Sequence, residues 1–198
     1  MTGRTLVAGV GNVFLRDDAF GVEVARMLAG RPPSDGVEIG DFGIRGVHLV
    51  YELLDGCDLL VLIDAAQRGY DPGTVTVLEI DPRRGSVPAT SPSPPSPAAM
   101  PLMDAHSLAP DDIFAMLTSM GVRPGRTLLV ACEPADLSAG MGLSDPVRAA
   151  LPHAIRAVED ILREHGRKEG TRDGLQADHG GDCGRSGVGD SGGRASRH

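Results

Sequence analysis

Asp58-Leu59-Leu60-Val61-Leu62-Ile63-Asp64 is the stretch that decides the fold. Its consecutive apolar residues leave neither face of a strand polar. Strands of that kind belong to parallel sheets covered by helices on both sides. Similar runs flank it in the chain. Residues 5–10 (TLVAGV), 37–42, 74–80 (TVTVLEI) and 127–132 (TLLVAC) bring the strands to five. Helical spacing separates them. In residues 19–29, Phe20, Val24, Met27 and Leu28 share a face, and residues 47–54 and 110–120 form further helices. The last, residues 146–165, carries Val147, Ala150, Leu151, Ala154, Val158, Ile161 and Leu162 on one stripe. The alternation predicts a three-layer α/β/α domain around a mixed five-stranded sheet. About nine residues connect strands three and four, too few for a parallel crossover. Strand four is therefore expected to run antiparallel to strand three.

The chain has 198 residues, 41% of them hydrophobic, enough for one core. Its 19 Lys and Arg against 27 Asp and Glu give a formal charge of −8, unfavourable for wrapping nucleic acid. No apolar run reaches the roughly 20 residues of a membrane span. The first nine residues do not read as a signal peptide. Cys57, Cys132 and Cys183 are isolated, so neither a disulfide framework nor a CxxC metal site is expected. The expectation is a cytoplasmic protein whose domain spans residues 1–166. A loop at 81–101 holds seven prolines, and a Gly-rich stretch at 167–198 reads as a disordered tail.

In open α/β sheets, sites form beyond the carboxyl ends of the strands, where strand order reverses. Strand one ends in Gly9-Val10-Gly11-Asn12, followed by Arg16-Asp17-Asp18 and Gly21. A dinucleotide GxGxxG motif would need glycine where Phe14 stands, and no P-loop is present. Asp17 and Asp18 also suit a capping pair at a helix N-terminus. Strand three ends in Asp64, an acid that packing does not explain but a turn cap would. His106 lies just after the proline-rich loop. Asp18, Asp64 and His106 together make a carboxylate, carboxylate, imidazole set suited to a divalent transition metal with open positions. Glu133, after strand five, reaches the same edge. Cys57 and Cys132 read as small buried hydrophobes, and His48 and His153 as structural or surface residues within helices. Gly189-Asp190-Ser191-Gly192-Gly193 matches the string around a serine-protease nucleophile, but it lies in the tail without the strand or helix such a nucleophile requires.

The opening Gly9-Val10-Gly11-Asn12, then Asp17-Asp18, then Gly21-Val22, resembles that of the [NiFe]-hydrogenase maturation proteases. The resemblance continues through Asp41-Phe42-Gly43-Ile44-Arg45-Gly46, Asp64-Ala65, the His106 segment, and Cys132-Glu133-Pro134 with Gly142-Leu143-Ser144. It implies an endopeptidase that removes the C-terminal extension of a [NiFe]-hydrogenase large-subunit precursor after nickel insertion. It implies a mixed five-stranded sheet between helices. Its metal-binding positions match Asp18, Asp64 and His106, the first often Glu in the family. The turn that is commonly GGTxG reads Phe42-Gly43-Ile44-Arg45-Gly46 here, which makes Gly43, Arg45 and Gly46 candidate substrate-binding residues. Nickel is expected to arrive with the precursor, and neither nucleic acid nor membrane is an expected partner. If the metal serves recognition alone, Asp17 is the candidate base by position. The competing readings are a metal- or nucleotide-responsive binding module without enzymatic activity, and a hydrolase of the peptidyl-tRNA type. The latter also carries a GxGN turn but would need a basic, RNA-facing surface.

Overall fold

A computed structural model describes residues 3–32, 35–44, 46–80 and 116–176, with side chains as far as residue 167. The elements run β1 (Thr5–Val10), a 3-10 turn (Arg16–Ala19), α1 (Phe20–Ala29), β2 (Val37–Gly43), α2 (Gly46–Leu54), β3 (Leu59–Ala65) and β4 (Val75–Ile80). They continue with a helical turn at 116–119, β5 (Arg126–Cys132) and α3 (Asp145–Gln176). The expected helix at 110–120 is described only in that turn. The strands form one sheet in the order β2-β1-β3-β5-β4. β1, β2, β3 and β5 are parallel, and β4 pairs antiparallel with β5.

The short connection after β3 therefore reverses the chain, as expected. It does not return β4 to the side of β3. β4 takes the outer edge, and β5 occupies the place between them.

Strand alternation divides the core into two halves. Val7, Leu59, Val61, Ile63, Leu128 and Val130 face α1 and α3, meeting Phe20, Val24, Leu28, Val147, Ala154 and Val158. Leu6, Ala8, Leu60, Leu62 and Leu129 face the other way, against Leu49, Val50 and Leu53 of α2 and Leu117 of the helical turn. Both faces of β1 and β3 are buried, which is why their sequences show no polar period. Cys57 and Cys132 are buried free thiols, and His48 and His153 lie exposed on α2 and α3.

α1 lies unusually close to the sheet because two glycines meet there. A Cβ on Gly21 would collide with the carbonyl oxygens of Ile63 and Val10, and one on Gly9 with that of Gly21. The start of α1 is thereby pressed against the carboxyl ends of β1 and β3.

α3 continues to Gln176, past the Gly166 boundary where composition places the start of a tail. Residues 167–176 include Arg, Lys, Glu, Leu and Gln, good helix formers. Extending an existing helix adds a hydrogen bond for each residue fixed and requires no burial. Residues 177–198 lie outside the described residues, as does the proline-rich loop at 81–101.

Candidate active site

Strand order reverses between β1 and β3. From β1 the chain moves outward to β2, then crosses back to β3 on the other side of β1. Beyond the carboxyl ends of this pair lies the crevice where α/β sheets place their ligands. Asp64, on the last turn of β3, is half-buried there. Asp18 comes from the 3-10 turn that follows β1. Its Oδ2 accepts the backbone N–H of Asn12 at 2.7 Å, which holds the carboxylate beside the glycine turn. Gly11 permits this arrangement. Its φ is +128°, and a Cβ would strike the carbonyl of Asp18.

The charge of Asp18 bears on Asp64. Burial pushes the Asp64 carboxyl up to about 8, and the negative charge of Asp18 adds to this, against the opposing N–H of Ala65. Burial also raises Asp18 above its ordinary value, against the hydrogen bond from Asn12. Two acids held together with too little solvation favour a bound cation. They fit two hard-oxygen ligands of a divalent metal with further positions open. Among the described residues no three His, Cys, Asp or Glu side chains gather as a metal site. The proposed third ligand, His106, lies outside the described residues, and so does Arg45. Gly43 closes the neighbouring turn with φ +51°, and its carbonyl accepts the N–H of Gly11 at 3.1 Å. Gly46 is buried at the start of α2.

Asp17 occupies different surroundings from Asp18. Its residue is fully buried. Oδ2 accepts the N–H groups of Ala135 and Asp136 and the hydroxyl of Ser144, while Oδ1 accepts the N–H of Ser144, all within 2.9 Å. Burial opposes the charge, but these hydrogen bonds outweigh it and hold the carboxyl below its ordinary value. A carboxylate so stabilised is a poor proton acceptor. These contacts fasten the 3-10 turn to the loop after β5. Arg16, just before it, has φ +46°, a strained conformation for a side chain other than glycine. Its N–H donates to Gly140, and its guanidinium pairs with Asp136 at 3.1 Å.

Glu133 is buried too. Its carboxylate accepts the N–H groups of Arg68 at 2.8 Å and Gly69 at 3.2 Å, so it braces the loop leaving β3. Sequence reading placed Glu133 at the correct edge without this partner. It attached no role to Ser144 or Arg68, because loop contacts across the sheet edge leave no local pattern. Cys132 offers no nucleophile. Burial, with the charges of Asp17 and Glu133, pushes its thiol up to about 12.

The five-stranded sheet with one antiparallel edge is the fold of a class of processing peptidases. The sequence profile of HycI, hydrogenase maturation protease, matches residues 22–161. The hydrogenase expression/formation protein HupD of Rhizobium leguminosarum bv. viciae is 32% identical, over 82% of this chain and 76% of that protein. The hydrogenase 2 maturation protease of Escherichia coli K12 is 32% identical, over 82% and 93%. The solved structure of the hydrogenase maturating endopeptidase HybD from E. coli superimposes with a TM-score of 0.66 at 32% identity, covering 82% of this chain and 94% of that one. The chain belongs to the hydrogenase maturation protease family.

Proposed function

We propose that this protein is the endopeptidase that trims the C-terminal extension from a [NiFe]-hydrogenase large-subunit precursor once nickel has been inserted. The observation that carries this reading is the placement of Asp18 and Asp64 beyond the carboxyl ends of β1 and β3, at the strand-order reversal of a maturation-protease fold. Nickel is here a part of the substrate. Asp18, Asp64 and His106 meet it as added ligands, with Asp in the first position supplying the same oxygen donor as Glu. Two carboxylates and an imidazole make an incomplete shell, so the protein by itself binds nickel weakly. Gly43, Arg45 and Gly46 are the residues assigned here to receiving the precursor's tail.

Cleavage is hydrolytic: water supplies hydroxyl to the carbonyl carbon and a proton to the leaving nitrogen. The residues of this chain position the scissile bond, and Asp17 holds the frame on which Asp18 sits. The paired acids at a polar crevice favour this reading over a nucleotide-responsive module. A cytoplasmic location belongs to the same proposal. Among the described residues no helix is long and apolar enough to cross a membrane.

The test is incubation of the full-length protein with nickel-loaded and nickel-free precursor, followed by intact mass. The loaded precursor should lose its extension and the nickel-free one should be spared, even with free nickel added. Rapid cleavage of a precursor unable to hold nickel would refute the mechanism and indicate a metalloprotease with its own resident ion.

A further inference from the structure

Arg68 stands in the loop just beyond β3, on the same sheet edge as Asp64. Its backbone is built in: the N–H groups of Arg68 and Gly69 are both held by the buried carboxylate of Glu133. The neighbouring chain is fastened as well, by Ala66 N–H to Cys132 and Gly73 N–H to Glu133, at 2.9 and 2.8 Å. The side chain presents the opposite picture. Nε and Nη1 of the guanidinium are out of solvent, and neither has a hydrogen-bond partner.

An arginine does not relieve this by losing its proton. Each unfilled donor loses water and gains nothing in return. Orphaned donors of this kind, in a loop so firmly anchored, mark a place where a ligand completes the structure. The ligand chemistry follows from the donor. A guanidinium selects planar anionic oxygen pairs, above all carboxylates. Acids line this edge at Asp18, Asp64 and Glu133, so an incoming carboxylate would be repelled unless a cation received it.

We propose that Arg68 is a substrate-positioning residue that pairs with a carboxylate of the precursor's C-terminal extension. The inference rests on the function proposed above. Two sources share the chemistry: an acidic side chain of the extension, or its terminal carboxylate. In either case the ion pair places the extension beside the paired acids, and cleavage then releases it with its anchor.

The test has two arms. In the first, acetate is titrated into the full-length protein while the ¹⁵Nε resonance of Arg68 is followed, with acetamide and chloride as controls. A saturable shift with acetate alone is expected, and no shift would overturn the proposal. In the second, Arg68→Gln and Arg68→Lys are assayed on nickel-loaded precursor. Arg68→Gln should raise KM about 10- to 100-fold, the loss of a hydrogen bond to a charged group. It should leave kcat near the wild-type value and Tm unchanged or higher. Arg68→Lys should recover part of the loss. The precursor is then varied, with a C-terminal amide in one form and with Asp and Glu of the extension changed to Asn and Gln in the other. The form on which Arg68→Gln no longer costs KM identifies the carboxylate. A wild-type KM for Arg68→Gln, a fall in its Tm, or a full penalty on both altered precursors would overturn the proposal. If the wild-type protein cleaves no precursor at all, the proposed function fails, and the acetate arm still decides the role of Arg68.

Discussion

The hydroxyl and the backbone N–H of Ser144 both donate to the carboxylate of Asp17, at 2.8 and 2.7 Å. A residue in the first turn of the domain is thus clasped by one that immediately precedes α3. Adjacent acids have been given opposite work. In a 3-10 turn consecutive side chains diverge by about 120°. Asp17 turns inward to gather the loop after β5, and Asp18 turns to the crevice.

Asp17→Ala should therefore act on the fold before it acts on chemistry. Four donors lose their acceptor, with an expected loss of about 3–5 kcal/mol. Urea unfolding followed by circular dichroism would measure it. Asp17→Asn should fall between the two, because its amide retains one acceptor oxygen but turns a donor toward the others. An Asp17→Asn protein of wild-type stability and no activity would assign the base role to this residue.

Asp64 should show the reverse. In the metal-free protein its carboxyl keeps a proton up to about pH 8, whereas the unfolded chain releases it near the ordinary value of 3.8. Between those values the folded state binds more protons, so this group's contribution makes stability fall as pH rises. Asp64→Asn removes that slope. Its advantage in Tm should grow through this window and level off above it, reaching on the order of 1 kcal/mol or more. Cleavage of loaded precursor should drop at least about 100-fold. A Tm difference that is flat with pH would show that burial does not hold the Asp64 carboxyl protonated as described.

Gly21→Ala tests how the site is held in place. The added methyl meets two backbone oxygens, which cannot swing aside as a flexible side chain would. A loss of about 1–3 kcal/mol is expected as α1 lifts from β1 and β3. Activity should fall further than stability alone accounts for, since Asp18 moves with the helix. Thermal melts paired with assays well below the melting range separate the two effects.

Glu133→Ala should free the N–H groups of Arg68 and Gly69. Stability should fall by about 1–3 kcal/mol. Amide hydrogen exchange should quicken at those two positions while β3 stays protected. Equal exchange in variant and wild type would mean that the loop is held by other contacts.

Much of this is legible in the sequence. β3 declared itself because Leu59 to Ile63 leave no polar face, and the same property placed Asp64 at the strand's carboxyl end. The reversal of β4 followed from a connection too short to cross the sheet. Its neighbour did not, since local apolar pattern carries no record of which strand lies alongside. The division of labour between Asp17 and Asp18 was equally hidden: the two residues are chemically identical, and only the distant Ser144, Ala135 and Asp136 distinguish them. The far end of α3 escaped for another reason. Sequence signals for a helix rest on an apolar stripe, and residues 167–176 hold Leu175 alone among large apolar residues.

The register of β1 against β3 has a consequence for how the site fails. Thr5 lies opposite Leu59 and Gly9 opposite Ile63, without a shift between them. The last backbone rungs of that ladder lead straight into Asp64. The backbone of Asp64 is thus set by main-chain geometry shared with the deepest layer of the protein. Heating, or a cavity carved at Val61, should dismantle the acid pair and the core in one transition, so residual folded protein near the midpoint retains full competence per molecule.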